Sequence, residues 1–192
     1  MNEQLALFPL NNFLLPRGKV KLRVFEPRYV RLVKEAMSEK RAFAMATLNP
    51  FVSQHHPERI LPLVCKAQIE DFEALPDGLL GITLRGIARY QIVQRWQESD
   101  KLHVAEVSPQ ADWSGQCLSD ELKPLAVSFQ RLLSEYPQLA ELYPEPELND
   151  SAWLAGRWLE LLPMQPNLKI SMATTEPDLC LQQLQQWLAH NA

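Results

Sequence analysis

Residues 5–29 read Leu-Ala-Leu-Phe-Pro-Leu-Asn-Asn-Phe-Leu-Leu-Pro-Arg-Gly-Lys-Val-Lys-Leu-Arg-Val-Phe-Glu-Pro-Arg-Tyr. Val20, Leu22 and Val24 alternate with Lys19, Lys21 and Arg23, the period of a strand with one buried face and one basic face. Glu26-Pro27 then opens a helix, because proline fits the first helical position, where its missing N–H is harmless. Tyr29, Val33, Ala36 and Met37 continue it at helical spacing to about Lys40. The apolar run that starts at Leu5 has no basic leader, is broken by Pro9, Asn11 and Asn12, and is followed, not preceded, by basic residues. That order excludes a secretory signal and predicts a cytoplasmic chain with no membrane partner.

Downstream, Phe43–Leu48 reads as a buried strand, and Leu63–Glu70 alternates as another. Pro76-Asp77-Gly78 is a turn, and Leu79–Trp96 is extended, with Gly86 marking a bulge or bend. His103–Val107 closes this series. After about residue 110 the period changes. Leu122, Leu125, Ala126, Phe129, Leu132, Leu133 and Tyr136 form a helical stripe with Ser119 as its expected cap. Asp150 is expected to cap a helix holding Trp153, Leu154, Trp158, Leu161 and Leu162, and Pro177 to open the last helix. The sequence therefore predicts an α+β chain, a β-rich lobe over 1–110 followed by a helical lobe over 111–192.

Charge follows the same division. Residues 1–110 hold fifteen Lys/Arg and twelve Asp/Glu, whereas 111–192 hold four and eleven. Arg17–Arg41 alone carries nine basic and three acidic residues, a field able to attract an acidic partner. Opposite net charge on the two lobes would also favour head-to-tail self-association. The three cysteines, Cys65, Cys117 and Cys180, lie too far apart for a metal ribbon and suit a reducing compartment.

Known catalytic patterns fail one by one. Gly81 and Gly86 have the spacing of a phosphate-binding loop, but Ile87-Ala88 stands where Lys and Ser/Thr are required. There is no G-x-S-x-G elbow. His55 and His56 are adjacent instead of four apart, so neither a metal nor a cofactor is predicted. Cys65 shares a strand face with Leu63 and Ile69 and is expected to be inert packing.

Leu7-Phe8-Pro9-Leu10-Asn11, Leu14-Leu15-Pro16, Gly18 and Leu22-Arg23-Val24-Phe25-Glu26-Pro27-Arg28-Tyr29 closely resemble the N-terminal, substrate-binding domain of the ATP-dependent Lon proteases, especially its stand-alone bacterial members. Asp77-Gly78-Leu79-Leu80-Gly81-Ile82 and Arg85-Gly86-Ile87-Ala88-Arg89-Tyr90 resemble its second characteristic stretch. The resemblance covers residues 5–107 and implies a PUA-like β-barrel lobe plus a helical bundle, together one domain of that type. It also implies recognition of polypeptides without catalysis, since the ATPase and protease modules have no room in 192 residues. Phe8, Pro9, Pro16, Phe25, Glu26, Arg28, Tyr29, Gly78 and Gly86 carry the motif. We read Phe8, Leu10, Phe25 and Tyr29 as core, Glu26 and Arg28 as a pair around the Pro27 turn, and Gly78 and Gly86 as backbone requirements. Arg17 stands where glycine is usual in the family.

The favoured reading is a polypeptide-binding or adaptor module, whose partner is an unfolded chain or one specific protein. It would use an apolar surface between the lobes, edged by Arg17, Lys19, Lys21 and Arg23, with Trp153 and Trp158 contributing amphipathic area. A second reading is RNA binding through the basic stretch 17–41. A third, ranked last, is a hydrolase using Cys65 or the carboxylates between Glu70 and Glu73.

Overall fold

The computed structural model describes residues 1–191 and forms two compact units, Met1–Asp112 and Trp113–Ala192, the last residue lying outside the described part. The first unit contains β1 (Glu3–Leu10), β2 (Lys19–Val24), α1 (Pro27–Met37), β3 (Phe43–Leu48), β4 (Ile60–Ala74), β5 (Leu80–Gln97) and β6 (His103–Pro109). A short 3-10 turn, Pro57–Arg59, precedes β4. The sheet runs β2-β5-β4-β3-β1-β6, and the long β5 also pairs with β6 through Tyr90–Gln97. Five strands thus close into a ring, while β2 lies on the first part of β5. Only β1 and β3 run parallel, and the connection between them carries β2 and α1.

Strand alternation sorts the ring residues into two cores. Ala6, Phe8, Phe43, Met45, Cys65 and Ala67 join Leu32 and Val33 of α1 in one cluster. Their sequence neighbours Leu5, Leu7, Ala44, Ala46 and Val64 pack with Ala105 and Val107 in the other. Both faces of β1 and β3 are therefore buried, which gives the continuous apolar runs expected of parallel strands and not the simple alternation of a solvated sheet. Phe8 stacks on Tyr29 with ring centroids 4.3 Å apart, tying β1 to α1. Cys65 is buried in the same cluster, as its strand face predicted. Phe25 does not join it: the side chain is 68% exposed, because it falls between the end of β2 and the start of α1 and follows neither element's buried face.

Gly86 is a true backbone requirement. A Cβ there would sit 2.1 Å from the Leu15 carbonyl oxygen. The close approach is used, since Gly86 N–H donates to Gly18 O and Arg17 N–H donates to Gly86 O, both at 2.8 Å. The β4–β5 register shifts beside it, between Lys66 and Ala67. Gly78 adopts φ +80° in the turn between β4 and β5. Arg17 has φ +65°, in the left-handed region that favours glycine. Glu70, Asp71 and Glu73 lie toward the exposed end of β4.

The second unit contains α2 (Lys123–Glu135), α3 (Pro137–Leu142), α4 (Ser151–Leu161), α5 (Pro166–Ala173) and α6 (Pro177–Asn191). Asp150 caps α4 as expected, its Oδ1 accepting from Trp153 N–H at 2.7 Å. Ser119 does not cap α2: it belongs to a preceding turn, and the helix starts at Lys123-Pro124 after Leu122. Every residue from Ser151 to Leu159 is buried, so α4 is the central helix of this unit. Among the described residues no helix is long and apolar enough to cross a membrane.

Candidate functional site

Along the basic edge foreseen at Arg17–Arg23, carboxylates answer Lys19 and Arg23. β2 is paired with β5 alone, leaving its other edge open. Lys19 meets Glu70 at 2.7 Å and Arg23 pairs with Asp77. Lys21 and Arg23 line a cleft of about 560 Å³ with Phe72, Asp71, Glu73 and Asp77 on its other side. The same holds along α1. Arg31 reaches Glu35, Glu98 and Asp100 at 2.6–2.9 Å, and Arg41 reaches Glu98 at 2.6 Å. The Arg41 guanidinium, with Arg31, holds the Glu98 carboxyl below its ordinary value against the opposing effect of burial. Arg28 pairs with Glu26 at 2.7 Å around Pro27, as read from the sequence. The local excess of +6 is thus partly offset by Glu70 of β4, Asp77 of the β4–β5 turn, and Glu98 and Asp100 of the β5–β6 turn.

Trp153 and Trp158 are not surface residues. They are 2% and 4% exposed and stand edge-on to Phe129 at 5.5 and 5.3 Å, with Tyr143 edge-on to Trp153 at 5.4 Å. Their helix is enclosed, so what looked like an amphipathic stripe is the aromatic core of the unit. The run Ser151-Ala-Trp-Leu-Ala-Gly-Arg-Trp-Leu159 carries one charge in nine residues, a signal for a buried helix that the spacing of its tryptophans obscured.

What the helical unit does expose is a groove of about 760 Å³. α2 contributes Leu132, α3 contributes Leu139 and Leu142, and the end of α4 contributes Leu161, with Tyr136 at the α2–α3 junction. Tyr136 is 54% and Leu161 43% exposed, while Arg131 and Glu135 supply the only charges of the lining. Trp158 reaches this groove from the core, and its indole Nε1 is buried without a hydrogen-bond partner. A trough floored by leucines and edged by Ser128, Arg131, Glu135 and Gln138 suits the side chains of an unfolded segment. No local sequence signal announces it, because three helices build it and α3 spans six residues only.

An α+β chain with a closed sheet ring, followed by a helical unit bearing an apolar groove, defines the class. The sequence matches the family described as ATP-dependent protease La (LON) substrate-binding domain over residues 4–176, and the chain belongs to that family. Among solved structures it is similar to a Lon N-terminal domain protein from Xanthomonas campestris, at 30% identity and TM-score 0.75, covering 96% of this chain and 98% of that one. The N-terminal domain of a Mycobacterium avium complex Lon protease shares the fold, at 16% identity and TM-score 0.65, over 97% of this chain and 98% of that one. No curated protein sequence matches.

Proposed function

We propose that this chain is a non-catalytic polypeptide-binding module, an adaptor that captures apolar segments of unfolded chains in the cytoplasm. The observation that carries the reading is the leucine-lined groove of α2, α3 and α4 in a member of a substrate-binding family. Groove area, not charge, supplies the affinity, at roughly 25 cal/mol for each Å² of apolar surface covered. The RNA reading loses support, since Lys19, Arg23, Arg31 and Arg41 each have a carboxylate partner and the chain is net −4. The thiol of the hydrolase reading is buried in the apolar core of the ring.

Fluorescence anisotropy tests this with the purified chain. One arm uses a labelled, reduced and unfolded polypeptide, the other a labelled single-stranded RNA, each at 50 and 200 mM salt as working conditions (about a Debye length of 14 to 7 Å). Saturable polypeptide binding at both salts is expected. RNA binding that falls steeply with salt, with no polypeptide binding, would contradict it.

A further inference from the structure

A third cavity, of about 950 Å³, opens at one end of the strand ring. It collects residues from distant parts of the first unit, among them the start of α1, the loop and turn before β4, the end of β5, the β5–β6 turn and the start of β6. Four permanent cations line it, Arg28, Arg59, Arg95 and Lys101, against the single carboxylate of Glu26, which Arg28 already holds. This balance differs from that on α1 and β2.

Apart from that pair, the guanidiniums here are positioned by neutral acceptors. Arg95 Nη2 donates to Pro57 O at 2.6 Å, Arg59 Nη1 donates to Asn49 O, and Arg28 Nη1 donates to Lys101 O at 3.1 Å. Main-chain carbonyls fix the orientation of such groups without cancelling their charge, so the cations are ordered before any ligand arrives. Two polar atoms of the lining, Arg28 Nε and His103 Nδ1, are buried and lack a hydrogen-bond partner. Burial, then Arg95 and Arg28, holds the His103 imidazole below its ordinary value, the response expected in an electropositive enclosure. Trp96, 38% exposed, and Leu48 add apolar surface beside the charges.

Resting on the polypeptide-binding reading, we propose that this cavity takes a carboxylate of an unfolded polypeptide, an Asp or Glu side chain with an apolar neighbour lying against Trp96. Planar guanidiniums match a carboxylate's two oxygens. A nucleic acid would require a continuous basic track, and outside the cavity Lys19, Arg23, Arg31 and Arg41 are paired with carboxylates.

The test uses the full chain and two labelled unfolded peptides with the same apolar core, one flanked by Glu and the other by Gln. The Glu peptide should bind about tenfold more tightly at low salt, with the advantage shrinking as salt rises. Lys101→Asn removes a cation from an exposed side chain whose backbone sits at φ +66°, which asparagine tolerates. This substitution should erase most of the advantage, by roughly threefold to tenfold, and leave the Gln peptide unaffected. Arg95→Gln should act in the same direction. Should a variant fail to fold, the wild-type His103 ring resonance serves instead, and its pKa should rise when the Glu peptide binds. Equal affinity for both peptides overturns the inference while leaving polypeptide binding standing. Binding of neither overturns both. RNA binding abolished by Lys101→Asn would overturn the carboxylate assignment in favour of phosphate.

Discussion

Two ion-pair groups, one in each unit, lie at different depths. In the sheet unit the Arg31–Glu98–Arg41 network lies on the surface, its side chains 27–36% exposed, and the leucines of β1 are inside. In the helical unit Arg157 and Glu160 form a two-bond ion pair at 2.7 Å with side chains 1% and 9% exposed, and Lys169 is 8% exposed. Meanwhile Leu161 and Tyr136 face outward at the groove. Enclosing charges is costly for stability unless both partners are present, so the buried pair is the more sensitive of the two.

That contrast can be broken most decisively at the ion pairs. Glu160→Ala leaves the Arg157 guanidinium, stacked 5.7 Å from the Tyr143 and Trp153 rings, without its carboxylate. We expect a loss of about 3–5 kcal/mol in urea unfolding. Glu98→Ala, on the surface network, should cost only about 0.5–1 kcal/mol. Similar losses at both positions would remove the distinction between the units.

Lys169 gives the next largest effect. Burial brings its pKa down from 10.5 to about 8, although Glu160 opposes the shift, and its Nζ donates to Glu160 O at 3.3 Å. Below pH 8 both folded and unfolded chains hold the proton, and the burial penalty is fully present. Between about pH 8 and 10.5 the unfolded chain holds a proton that the folded chain has released, so this group makes stability rise with pH. Lys169→Met should add about 2 kcal/mol at pH 7 and remove that rise, as read from urea midpoints at pH 7, 8.5 and 10. An unchanged slope would show that the ammonium is solvated. The smallest effect belongs to Arg17, where glycine relieves the left-handed backbone at some cost in unfolded-state entropy. Arg17→Gly should gain about 0.5 kcal/mol in thermal unfolding, and a loss would mean that the side chain's own contacts outweigh the strain.

Legibility followed the range of the signal. The helix at Pro27, the Asp150 cap and the bend at Gly86 could be read because each depends on neighbours in sequence. β1 lacked a clear period, since Leu5 and Leu7 serve one core while Ala6 and Phe8 serve the other. The tryptophans of α4 were misplaced because spacing shows which residues share a face, not whether every face is covered. The cationic cavity was invisible for a related reason. Arg28, Arg59, Arg95 and Lys101 come together only through strand pairing. Of the positive charge that the sequence did show between Arg17 and Arg41, Lys19, Arg23, Arg31 and Arg41 are met by carboxylates in the fold.

The central claim is that the leucine groove binds polypeptide, and Leu161→Asp tests it most directly. Leu161 is 43% exposed at the end of α4, so the substitution should leave the thermal midpoint nearly unchanged. Affinity for an unfolded polypeptide should fall at least tenfold, equivalent to about 1.4 kcal/mol or more, at both low and moderate salt. Undiminished binding by a correctly folded Leu161→Asp chain would contradict the account and move the polypeptide site elsewhere.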